Sequence, residues 1–245
     1  MLAKTFREVA GIVLVDDDGR EETLELLPPA TAEEISALES TLPAPLPMEI
    51  REALEVTTGF ANGPIESLSL LDHGEFGMED VFPHPHPIGH DGFGNYWVVD
   101  LLPDQTTWGP VFFACHDPPV IAYQSETVSD FVRQVVALGQ PGSRSPVDVV
   151  HEDVTTNIWR SNSGIFDHAT AGGSDDPVLA GFAAGFPAEA VFADLRAGKL
   201  GDGFSWGRFG PREEWARCGT ERLWAIVPPR PRGLLARIFG GGGSQ

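Results

Sequence analysis

Apolar positions recur at helical spacing at both ends of the first 140 residues and at strand spacing between them. Thr31-Ala32-Glu33-Glu34 reads as a capping box, in which the threonine oxygen and the glutamate three residues on satisfy free backbone N–H groups. Ile35, Leu38 and Leu42 then fall on one face, and Pro43 stops the helix. Pro47 suits the first position of a second helix, whose Ile50, Ala53, Leu54 and Thr57 form a stripe that Gly59 ends. Thr127 with Asp130 caps a third, with Val128, Phe131, Val132, Val135 and Leu138 on one face before Gly139 and Pro141. Between them the residues around Ser67 to Leu71, Tyr96 to Leu101, Val111 to Cys115 and Val120 to Gln124 read as strands. Ahead of all of these, Val9 to Val15 and Glu22 to Leu27 read as a hairpin about Asp16-Asp17-Asp18-Gly19. Strands together and helices outside them predict an α+β domain with a mixed or antiparallel sheet.

Gln140 to Pro146 has linker composition. Beyond it, Asp176-Pro177 and Pro187 mark two helix starts, the second carrying Val191 and Leu195 up to Gly198. Leu223 to Val227 reads as a strand, and Trp159, Trp206, Trp215 and Trp224 as core. The expected organisation is an N-terminal hairpin over 1–27, a domain over 28–139, and an α+β extension or small second domain over 146–239. Residues 240–245, with Gly240 to Ser244 of flexible-linker composition, form a tail.

Charge narrows the partners. With 36 acidic against 16 basic residues the chain carries −20, so direct nucleic-acid binding is disfavoured and a basic protein partner is favoured. No run of eighteen apolar residues suggests a membrane span, and the first residues lack the pattern of a signal peptide. Cys115 and Cys218 are too few for a disulfide framework, so a cytoplasmic protein with two free thiols is expected.

Chemistry is hard to find. His84, His86, His90 and Asp91 are of metal-ligand type, which keeps a metal-dependent hydrolase using the His84–Asp91 stretch as an alternative. The interleaved Pro83, Pro85 and Pro87 instead favour a polyproline-like surface loop that points His84 and His86 apart. Cys115, His116 and Asp117 are consecutive, and neighbouring strand residues face opposite ways, so they do not read as a triad. Neither a cofactor nor a catalytic residue is expected. The most suggestive surface is the stretch from Asp72 to Phe82. There Asp72, Glu75, Glu79 and Asp80 surround Phe76 and Met78, as apolar anchors within a negative rim would.

One stretch looks like a signature. Pro87-Ile88-Gly89-His90-Asp91-Gly92-Phe93-Gly94-Asn95-Tyr96-Trp97-Val98-Val99-Asp100-Leu101 runs a glycine-rich turn into an aromatic strand. Together with Leu42 to Pro47, Gly59 to Gly63, Gly109 to Phe113, Asp117 and the helix of Phe131, it resembles the SUKH superfamily, the Smi/Knr-like domains, over about Pro28 to Gly139. The resemblance implies a SUKH-like sheet flanked by helices. It makes Gly89, Asp91, Gly92, Gly94, Asn95, Trp97, Asp100, Asp117 and Phe131 structural signature residues. It also implies a non-enzymatic, protein-binding role. The first expectation is a bacterial immunity protein that neutralises a toxin, with a nuclease as one candidate; a regulatory or scaffolding module is the alternative.

Overall fold

The β-branched and aromatic segments pair into an antiparallel sheet that runs through most of the chain. The computed structural model describes residues 1–229 other than 16–17, 62, 72–75, 79–80 and 143. Helix α1 (Leu2–Val9) precedes the hairpin β1 (Val13–Val15) and β2 (Glu21–Thr23), then helices α2 (Ala32–Thr41) and α3 (Met48–Leu54). Strands β3 (Gly59–Ala61), β4 (Ser67–Ser69), β5 (Pro85–His90), β6 (Tyr96–Asp100), β7 (Val111–His116) and β8 (Pro119–Ser125) lead to α4 (Val128–Leu138). A helical run comes next: α5 (Pro146–Asp148), a π-helical segment (Val149–Val154) and α6 (Thr155–Ser161). Then come β9 (Ile165–Asp167), α7 (His168–Gly172), α8 (Pro177–Ala183), β10 (Val191–Asp194), β11 (Gly203–Ser205), β12 (Glu214–Arg217) and β13 (Leu223–Val227). The fold is α+β, as the periodicity predicts.

The large sheet has the order β11-β8-β7-β6-β5-β4-β3 and forms a middle layer. Alternation along β7 shows why. Val111, Phe113 and Cys115 join Phe6, Ile50 and Phe131 of the helices on one face, while Phe112 and Ala114 meet Trp224 and Ile226 on the other. That second face is covered by a four-stranded sheet, β12-β13-β10-β9. The capping box forms: Thr31 Oγ1 accepts from Glu34 N at 3.2 Å and the Glu34 carboxylate accepts from Thr31 N at 2.7 Å. Thr127 caps α4 through its Oγ1 alone, which accepts from Asp130 N at 3.0 Å.

The structure departs from the sequence reading in several places, among them α3, which starts after Pro47 and ends at Leu54, while Gly59 opens β3. Residues before Val9 form α1, whose Leu2, Phe6 and Val9 are buried in the main core, so the first hairpin strand starts only at Val13. Its partner ends at Thr23, and Leu26 bridges to Phe60 instead. The stretch read as a polyproline surface loop is β5, with His86 5% exposed. Among the described residues Pro85 and Pro87 pair with β6 alone, because β4 reaches only Gly89 and His90, so the missing N–H groups interrupt no second ladder. The helix expected from Pro187 is β10, paired with β13 and β9: Val191 and Leu195 fit a helical stripe, but two flanking strands decide the outcome.

The segment read as a linker is tied down on both sides. Gln140 Nε2 donates to Val13 O at 3.0 Å and Ser145 Oγ donates to Gln134 O at 2.5 Å. The residues C-terminal to it also share the first sheet. Strand β11 pairs with β8, and Gly203 permits the approach, since a Cβ there would stand 2.2 Å from Ile121 O. Trp224 Nε1 donates to Val81 O at 2.8 Å and Trp206 Nε1 to Cys115 O at 3.0 Å.

Candidate functional site

The signature turn is built around one carboxylate. Asp91 Oδ1 accepts from Phe93 N at 2.8 Å and Asn95 N at 3.2 Å, and Oδ2 accepts from Asn95 Nδ2 at 2.5 Å. Closing so tight a loop needs left-handed backbone at Gly92 (φ 79°) and Gly94 (φ 91°), which glycine alone adopts without strain. Asn95 Oδ1 in turn accepts from His116 N at 3.0 Å, tying the turn to the end of β7. The outcome is an aromatic side chain held outward: Phe93 is 80% exposed.

The other signature residues build the scaffold. Gly89 lies beside a register shift between β5 and β6. Trp97 is buried, with its ring centroid 4.9 Å from that of Phe113 and 5.6 Å from that of Phe131, and its Nε1 donates to Gln124 Oε1 at 3.2 Å. Asp100 is fully buried between two arginines of the C-terminal segment: Arg217 makes a bidentate pair at 2.8 and 2.7 Å, and Arg222 Nε donates at 3.1 Å. Asp117 sits exposed in the β7–β8 turn.

Beside the turn lies a groove of about 700 Å³. One lip is the hairpin and the segment before β4, with Glu22 and Glu66; the other is the run through α5 and the π-helical segment, with Asp148, His151 and Glu152. Leu14, Leu138 and Val147 line it from between, and Asp91 and Phe93 stand at its end. Spacing explains the second lip: residues 148, 151 and 152 share one helical face. Arg144 offsets part of its charge through contacts to Asp148 at 3.5 Å, Glu152 at 2.7 Å and Asp153 at 2.5 Å.

His151 ties the second lip to the signature turn, its Nε2 3.3 Å from Asp91 Oδ2. Burial pushes the Asp91 carboxyl up, but the hydrogen bonds from His151, Asn95 and the Phe93 and Asn95 N–H groups overcome it and hold it at about 2. The bond to Asp91 lifts His151 above its ordinary 6.5, against burial, and the charges of Asp91, Glu152 and Asp148 add to the rise.

Burial pushes the Cys115 thiol up to about 11, which suits a core residue and not a nucleophile. His86 Nε2 lies 3.0 Å from Leu70 O and its ring packs tilted against Trp108 with centroids 4.5 Å apart, which commits it to the interior. Among the described residues no three His, Cys, Asp or Glu side chains are placed to hold a metal ion. No helix among them is long and apolar enough to cross a membrane.

Of the acid-and-aromatic stretch singled out in the sequence, Asp72, Glu75, Glu79 and Asp80 lie outside the described residues. Phe76 and Met78 are half-buried against the second core cluster, and the Phe76 ring meets Tyr96 edge-on at 5.5 Å. Sequence reasoning found Asp91 and missed the residues facing it. Ser145-Pro146, a capping serine before a proline at the first helical position, was the signal that put Asp148, His151 and Glu152 on a helix.

Residues 29–134 match the SMI1 / KNR4 family (SUKH-1), in agreement with the resemblance read over 28–139. No curated protein matches the chain. The matched stretch holds Glu66 and the Asp91 turn, whereas Asp148, His151 and Glu152 lie beyond it.

Proposed function

We propose that this chain is a non-enzymatic, protein-binding module of the immunity type, a cytoplasmic protein that neutralises a basic toxin domain through its acidic surface. The observation that carries the reading is a groove rimmed by Glu22, Glu66, Asp91, Asp148 and Glu152 beside the signature turn of a SUKH-1 match. A net charge of −20 supports it, because a negative surface speeds encounter with a cationic partner. Acidic side chains would cover the cationic site of the target, while desolvated apolar contact slows its release.

The test is co-expression. A basic effector domain that co-purifies with this chain should arrest growth when expressed alone and lose that effect when the chain is present. A partner that is not toxic by itself would make the protein a regulatory or scaffolding module instead.

A further inference from the structure

The turn that fixes Phe93 and the lips that carry the carboxylates are parts of one surface. Phe93 is the most exposed large apolar side chain among the described residues at 80%, and it sits on a loop that the hydrogen bonds of Asp91 and Asn95 hold closed. A turn whose backbone is already closed loses little conformational freedom when a partner covers its exposed aromatic side chain, which is a property of an interface anchor. Phe93 lines a groove together with Leu14, Leu138 and Val147 and with the carboxylates of Glu22, Glu66, Asp148 and Glu152. Glu22 before the SUKH-1 match and Asp148 and Glu152 after it both lie outside that match, so segments flanking the matched domain add to the charge of the groove.

We propose that this groove receives an extended basic segment of a protein partner, with arginine or lysine side chains meeting the acidic lips and one apolar side chain seated against Phe93. The inference rests on the protein-binding reading and adds the place and the chemistry of the contact. A volume of about 700 Å³ is in the range of sites that enclose ligands of a few peptide residues. Arg144, next to the second lip, is engaged by Asp148, Glu152 and Asp153, and His151 on that lip is paired with Asp91. The groove therefore keeps an excess of negative charge that a basic segment would complement.

The probe is a synthetic hexapeptide with arginines flanking a leucine, compared with the same peptide carrying citrulline for arginine. Amide resonances of labelled full-length protein are followed by NMR at low ionic strength. Saturable shifts at Gly92, Phe93, Gly94 and His151 are expected for the arginine peptide, with at least tenfold weaker binding of the citrulline one. Phe93→Ala and the combined Glu22→Gln, Glu66→Gln, Glu152→Gln variant should each weaken the arginine peptide about tenfold. These side chains are at the surface, so melting temperatures should hold. Neutralising Glu33, Glu52 and Glu55, which are exposed on α2, α3 and the residue after α3, should change affinity less than twofold. Shifts spread evenly over the acidic surface, equal losses in the two triple variants, or no saturable shift at the turn would overturn the groove. If a toxin domain still binds with strong salt dependence in that case, the protein-binding reading stands and only its location falls.

Discussion

Asp91 and His151 stabilise the fold in different pH windows. The Asp91 carboxyl is held at about 2 against an ordinary 3.8, so its contribution is fully present above 3.8 and is lost as pH falls through 2. His151 is raised above 6.5, so its contribution is present below 6.5 and fades as pH rises through the folded value. The His151 side chain is 42% exposed, and solvent screening keeps the effect small. Melting temperature recorded between pH 5 and pH 8 should decline for the native chain, and His151→Asn should flatten that decline; parallel curves would mean the pair carries no linkage. Thr31→Ala removes the oxygen that accepts from Glu34 N and should cost about 1 kcal/mol in denaturant unfolding, with binding unaffected. Phe76 tests two roles at once. As a half-buried ring against Tyr96, its replacement by Ala should cost roughly 1–2 kcal/mol, a truncation penalty reduced by partial exposure. An unchanged melting point with weakened partner binding would restore it as a surface anchor.

Elements whose partners are near in sequence were legible, and elements decided by distant partners were not. Thr31 with Glu34 and Thr127 with Asp130 place two helix starts because the cap is a local bond. Strand β10 was illegible because Val191 and Leu195 satisfy a helical period, and only pairing with β9 and β13 settles it. Strand β5 was hidden by its own prolines, which the unpaired side of the strand tolerates. The signature residues could be named from sequence, but the role of Asp100 could not, since Arg217 and Arg222 stand more than a hundred residues away. That cluster predicts a mutational effect: Asp100→Ala leaves two buried or partly buried arginines uncompensated and should cost about 3–5 kcal/mol in chemical denaturation. A loss below about 1 kcal/mol would mean the arginines find water or other partners.

At the scale of the molecule, the second face of the large sheet is completed by residues beyond 140. Phe112, Ile121 and Tyr123 share a cluster with Phe204, Trp224 and Ile226. The linker composition of Gln140 to Pro146 suggests that residues 1–139 fold alone, whereas the shared core predicts that this fragment loses cooperative melting in calorimetry; a sharp transition would establish an independent domain. The groove draws on both parts of the chain: Glu66, Asp91 and Phe93 lie inside the SUKH-1 match, and Glu22, Asp148 and Glu152 lie outside it. The proposed contact depends on charge placed at one site, above the −20 carried by the whole chain. The most direct measurement is the association rate of a co-purifying basic protein, taken by stopped flow across a salt series. The rate should fall as salt rises and screening shortens the attraction to about 8 Å at physiological ionic strength. Glu22→Gln, Glu66→Gln, Glu152→Gln should lower the rate and flatten its salt dependence far more than Glu33→Gln, Glu52→Gln, Glu55→Gln. Equal effects of the two triple variants, or an association rate indifferent to salt, would contradict the acid-rimmed groove as the binding site.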